Sequence, residues 1–140
     1  MNDRFKFRIW DKKLKKLAKW GDNPYHNMEI MNYICVENPV TDWRHEDYIL
    51  MQCTGLKDKN GKLIYEGDIV KSDFDFITNT INPLRFNIGN VIYSDYIAGF
   101  VIASDINDYS PYKTSFFGKT EALNCIVIGN IYENPELLEE

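Results

Sequence analysis

Residues 4–10 alternate with a period of two: Phe5, Phe7 and Ile9 point one way, and Arg4, Lys6 and Arg8 the other. This is the pattern of a half-buried strand, because successive strand side chains leave on opposite faces. Asp11, Lys12 and Lys13 then make a polar turn, and residues 14–20 return as the second strand of a hairpin. The next stretch loses the rhythm. Gly21-Asp22-Asn23-Pro24 is a turn, residues 28–36 read as a strand or a helical turn, and Asn38-Pro39 breaks them. With the polar residues Thr41, Asp42, Glu46 and Asp47 following, residues 21–48 are expected to form a long surface loop.

Short strands then resume. Residues 48–53 are a strand that Thr54-Gly55 should turn, and Asp58-Lys59-Asn60-Gly61 makes a second turn with Gly in the left-handed position. Residues 63–65 and 69–71 are strands separated by a corner at Glu66-Gly67-Asp68. Further strands are expected over 87–95, 99–104 and 124–131, with loops over 79–85 and 107–114 and one helical turn at 120–123. Asn134 followed by Pro135 suits the start of a short helix. The pattern predicts a mainly β fold, a small sandwich or SH3-like barrel of short antiparallel strands with long loops and little helix. Residues 1–140 are expected to form a single domain.

Composition agrees: 16 Ile and 14 Asn stand against 4 Ala, which favours strands over helices. The charged start is unlike a signal peptide, and no apolar run approaches the roughly 20 residues that span a bilayer. Cys35, Cys53 and Cys125 are odd in number and widely spaced, which fits reduced thiols in a cytoplasm better than a disulfide framework or a zinc site.

Charge changes the picture more. The net charge is −5, yet residues 1–20 carry eight basic residues against Asp3 and Asp11, a balance of 8 − 2 = +6. The C-terminal end, with Glu133, Glu136, Glu139 and Glu140, is acidic. Arg4, Lys6, Arg8, Lys12, Lys13, Lys15 and Lys16, with Trp10 and Trp20 as stacking platforms, are therefore the candidate binding residues for a nucleic acid or a partner. The same asymmetry arises if the two termini neutralise each other.

Catalytic and metal chemistry find little support. His26 and His45 are 19 residues apart, and even with Asp42, Glu46 and Asp47 near His45 the close ligand spacing of a metal centre is missing. Asp58 to Gly61 resembles the start of an EF-hand loop, but Ile69 stands where the bidentate Glu belongs. The pairs Asp73/Asp75 and Asp105/Asp108 fit solvated strand and loop positions, and Cys53 has no identifiable His partner. There is no nucleophile elbow, phosphate loop, dinucleotide fingerprint or deaminase motif. The expectation is a non-enzyme without cofactor or metal.

Tyr65-Glu66-Gly67-Asp68-Ile69-Val70 reads as the opening corner of an SH3-like barrel. Gly67 would permit the corner, Asp68 would accept backbone amides, and Ile69 or Val70 would enter the core. Taken with FKFRIWDKK at 5–13, TGLKDKNGKLIYEGDIV at 54–70 and IVIGNIYENPELL at 126–138, the chain closely resembles the YopX family of small phage and prophage proteins. The resemblance implies a compact, mainly β protein in a phage-carrying host cell, with no catalytic residues. It also implies that Gly55, Asp58, Gly61, Gly67, Asp68, Gly129, Asn130 and Pro135 are fold determinants rather than a site. Two functions follow. The first is an accessory protein acting through a protein partner or self-association, suggested by the surplus of Tyr, Trp and Phe. The second is a nucleic-acid-binding module built on the basic N-terminal hairpin. Neither calls for a membrane.

Overall fold

Alternation at the N-terminus produces β1 (Phe7–Asp11), which pairs antiparallel with β2 (Lys16–Lys19) on one side and β3 (Tyr48–Lys57) on the other. The computed structural model describes residues 6–21, 24, 25, 27, 28, 30, 48–73, 76, 87–104 and 114–138. The chain divides into two compact units, Met1–Cys53 and Thr54–Glu140.

In the first unit β1 is the central strand. Ile9 lies opposite Ala18 on β2 and Leu50 on β3, and Ile9, Ala18 and Ile30 form the buried core with Trp20 packed against it. A central strand covered on both faces differs from the expected half-buried one. Arg8, placed on the polar face by alternation, and Trp10, expected as a stacking platform, are 2% and 8% exposed. The stretch expected as a surface loop is also different where it is described. Pro24, Tyr25, Asn27, Met28 and Ile30 are helical, and Ile30 is fully buried. Asn27 ties this segment to the turn before it by accepting the Gly21 N–H at 2.7 Å.

β3 does not turn at Thr54-Gly55. Gly55 sits at φ +80° inside a continuous ten-residue strand, and Thr54 Oγ1 donates to the Ile64 carbonyl on β4 (Leu63–Tyr65) at 2.8 Å. In the second unit, β5 (Asp68–Ser72), β6 (Ile88–Ser94), β7 (Gly99–Ala103) and β8 (Thr114–Phe116) form an antiparallel meander. A helical turn, α1 (Lys119–Leu123), precedes β9 (Cys125–Asn130), which returns to pair with β5 and is followed by a 3-10 turn, Pro135–Leu138. The sheet order β8-β7-β6-β5-β9 is the connectivity of an SH3-like barrel. Strand β8 was not expected from the sequence.

The corner at Glu66-Gly67-Asp68 behaves as its residues dictate. Asp68 is buried and its Oδ2 accepts the Tyr65 N–H at 2.8 Å, while Ile69 and Val70 are both 0% exposed. Val70, Val91, Ile102 and Phe117 lie at the centre of the second core. The expected loops over 79–85 and 107–113, and most of 28–36, lie outside the described residues. Among the described residues no helix is long and apolar enough to cross a membrane.

Candidate functional site

Two hairpin tips present the most distinctive exposed chemistry. The first joins β1 to β2 through Lys12-Lys13-Leu14-Lys15, a four-residue loop between the paired residues Asp11 and Lys16. Asp11 Oδ1 organises it by accepting the N–H groups of Lys13 (2.9 Å) and Leu14 (3.0 Å), and Lys15 closes it in the left-handed region at φ 54°. Lys12, Lys13, Lys15 and Lys16 are all exposed, as is Leu14 among them. Lys12, Lys15 and Lys16 form no ion pair among the described residues.

The sequence-based binding set is therefore only partly brought together. The four lysines at 12, 13, 15 and 16 form one patch. Lys6 is half-buried and its carbonyl accepts the Cys53 N–H at 2.9 Å. Arg8 and Trp10 are withdrawn from the surface by the central position of β1, and Trp20 is half-buried against the first core. Trp10 thus offers no exposed stacking face. Arg4 lies outside the described residues, as do His26, His45, Asp42, Glu46, Asp47, Cys35, Asp75, Asp105 and Asp108.

The second tip was missed from sequence. It joins β6 to β7 through Asp95-Tyr96-Ile97-Ala98, again four residues between a paired couple, Ser94 and Gly99. Ser94 Oγ accepts the Tyr96 N–H at 3.2 Å, and Ala98 closes the loop at φ 52°. Tyr96 is 83% exposed and Ile97 49% exposed. Tyr93, also exposed, meets Phe100 edge-on at 5.6 Å between ring centroids, which fixes the aromatic base of the tip. The available signal was the loop length: a tyrosine and an isoleucine in a four-residue turn between paired strands have no core to enter.

One buried group stands apart. Asn90, in the middle of β6, is 0% exposed, and among the described residues neither its Oδ1 nor its Nδ2 finds a hydrogen-bond partner. Burying an amide without partners costs about 1–3 kcal/mol. Asn90→Val is therefore expected to raise the thermal midpoint by a few degrees, a gain of about 1 kcal/mol. A lowered midpoint would show that the amide carries an interaction the fold needs.

The family model described as YopX protein matches residues 6–139, nearly the whole chain. The chain belongs to the YopX family. Protein EF1440 from Enterococcus faecalis is similar in structure at a TM-score of 0.59, with 25% identity over 96% of this chain and 97% of that one. Protein yopX from Bacillus subtilis is similar at a TM-score of 0.52, with 27% identity over 100% of this chain and 98% of that one. No curated protein matches the chain.

In this YopX-family chain the motif residues hold turns. Asp58 is buried; its Oδ1 accepts the N–H groups of Asn60 and Lys62, both at 2.9 Å, and its Oδ2 accepts that of Val127 on β9 at 3.0 Å. Asn130 Oδ1 accepts the N–H groups of Tyr132 (3.0 Å) and Glu133 (2.8 Å) at the end of β9. A carboxylate committed to backbone amides is a structural strut. Cys125 is similarly committed. Burial, and secondly the nearby Asp58 charge, push its thiol from 9.0 up to about 12, partly opposed by Lys59, and Sγ donates to the Ala122 carbonyl at 3.2 Å. It is a protonated, poorly nucleophilic thiol at neutral pH. Because the folded value is the higher one, its stabilising contribution is complete below about pH 9 and is lost as pH rises towards about 12. Urea midpoints are expected to fall across that window, with Cys125→Ala removing this component of the fall. An identical pH dependence in the variant would contradict the assignment.

Proposed function

We propose that the protein is a non-catalytic accessory module that works by associating with further copies of itself, in the phage or prophage setting that the family resemblance implies. The observation that carries this reading is the β6–β7 tip, where Tyr93, Tyr96 and Ile97 stand exposed together. Tyrosine and aliphatic side chains on a pre-formed turn are the anchors that interfaces favour, since little conformational freedom is lost when they are covered. Charge favours a second copy as the occupant. Without the four lysines at 12, 13, 15 and 16, the net charge of −5 becomes −5 − 4 = −9, so each copy joins a concentrated basic patch to an acidic remainder. A nucleic acid is the weaker occupant, because burial of Arg8 and Trp10 withdraws an arginine and a stacking ring from the expected binding set. The committed carboxylates of Asp58 and Asp68 and the raised Cys125 thiol support the non-catalytic reading.

Light scattering over a concentration series tests this. The unmodified protein is expected to gain mass with concentration, and Tyr96→Ser combined with Ile97→Ser to remain monomeric throughout. Equal behaviour of the two proteins would count against the tip as the contact.

A further inference from the structure

The two hairpin tips share one backbone plan and carry opposite chemistry. Each is a four-residue loop, each is organised by the side chain of the residue before it, Asp11 or Ser94, and each ends on a non-glycine residue at φ 54° or 52°. The third loop position is an exposed aliphatic side chain in both, Leu14 at 66% and Ile97 at 49%. Around Leu14 stand four lysines; around Ile97 stand Asp95 and the rings of Tyr93 and Tyr96.

We infer that these tips are the two halves of one contact, the lysine tip of one copy seating on the aromatic tip of the next. This deepens, and rests on, the proposed self-association. Leu14 meets Ile97 at the centre, where both lose water. Lysine ammonium groups lie over the tyrosine faces, which attract cations through the ring quadrupole. Asp95 supplies the carboxylate that an incoming lysine pairs with. Two lysine tips repel one another, and two aromatic tips would bring two Asp95 charges together. Opposite pairing is the arrangement that satisfies both. Such a contact joins different surfaces of two copies: reciprocated across a two-fold axis it closes a dimer, and unreciprocated it builds a larger ring or an open chain. The contact is small, which makes it weak and reversible, and its charged share makes it sensitive to salt.

A mixing experiment tests the pairing. One variant carries Lys12→Glu, Lys15→Glu and Lys16→Glu and keeps the aromatic tip; the other carries Tyr96→Ser and Ile97→Ser and keeps the lysine tip. Measured by sedimentation velocity, the unmodified protein is expected to associate at low salt, with its affinity falling about tenfold or more in high salt. Each variant alone is expected to be monomeric. Their equimolar mixture is expected to form heterodimers and nothing larger, because only one productive pair of tips remains. If either variant fails to fold by circular dichroism, Leu14→Ser and Ile97→Ser give the same comparison. An unmodified protein that stays monomeric overturns the self-association reading itself. Association without rescue in the mixture overturns the pairing alone. A lysine-reversed variant that associates normally but loses affinity for mixed-sequence DNA assigns that tip to nucleic acid and also overturns the pairing.

Discussion

Asp58→Ala is expected to destabilise the protein by about 3 kcal/mol, lowering the thermal midpoint by about 10 °C. The two oxygens of this buried carboxylate accept three backbone N–H groups, two inside the β3–β4 turn and one from Val127 on β9. Water cannot simply replace a buried acceptor, so the cost is the loss of charge-assisted bonds together with donors left without partners. The turn also meets β9 through the Lys59 N–H and the Cys125 carbonyl, at 3.0 Å, and loosening it would weaken that bond. Asp58→Asn should fall between the two. Its carbonyl oxygen can keep the turn bonds, but its amide would place a donor against the Val127 N–H. Removing the Asp58 charge should also bring the Cys125 thiol down from about 12, because that charge is the second cause of its elevation. Urea denaturation of the three proteins checks the ranking, and a change in Asp58→Ala below about 0.5 kcal/mol would contradict it.

Gly129→Ala is expected to cost about 2 kcal/mol, more than Gly61→Ala at about 1 kcal/mol. The reasons differ. At Gly61 the backbone sits at φ +83° with nothing within 4 Å of an added Cβ, so the penalty is conformational alone. At Gly129 an added Cβ would lie 2.5 Å from Asn134 Oδ1 and 2.9 Å from Leu137 Cδ1. Asn134 Oδ1 accepts the Asn130 N–H at 3.3 Å, so the clash pushes on the bond that closes the chain after β9. Calorimetric midpoints of the two variants give the comparison. A Gly129→Ala protein as stable as the parent would mean that the 3-10 turn moves aside freely.

Much of the fold was legible because period-two alternation and turn residues coincide. The β1–β2 hairpin, the Gly67-Asp68 corner and strands β4 to β7 follow from them, and the buried Asp58, Asp68 and Asn130 bear out a structural role for those motif positions. What failed did so where local pattern is silent about the third dimension. Alternation assigns Arg8 a face but does not reveal that β1 is central and covered on both sides. Gly55 reads as a turn residue, yet a strand accepts one glycine at φ +80°. Strand β8 is as short as β4 but, as Thr114-Ser115-Phe116, has a single apolar residue where β4 has three, so no apolar run marks it. Of the candidate site, the lysine tip was legible as a run of charge. The aromatic tip was not, because exposure of Tyr96 and Ile97 depends on the loop being only four residues long between paired strands.

The most direct test of self-association through the two tips is a dilution series followed by amide chemical shifts. On dilution at low salt, the signals of residues 12–16 and of residues 93–98 are expected to move together with one midpoint, and salt should produce the same movement. Shifts that are absent, or confined to other surfaces while the protein still associates, would contradict it.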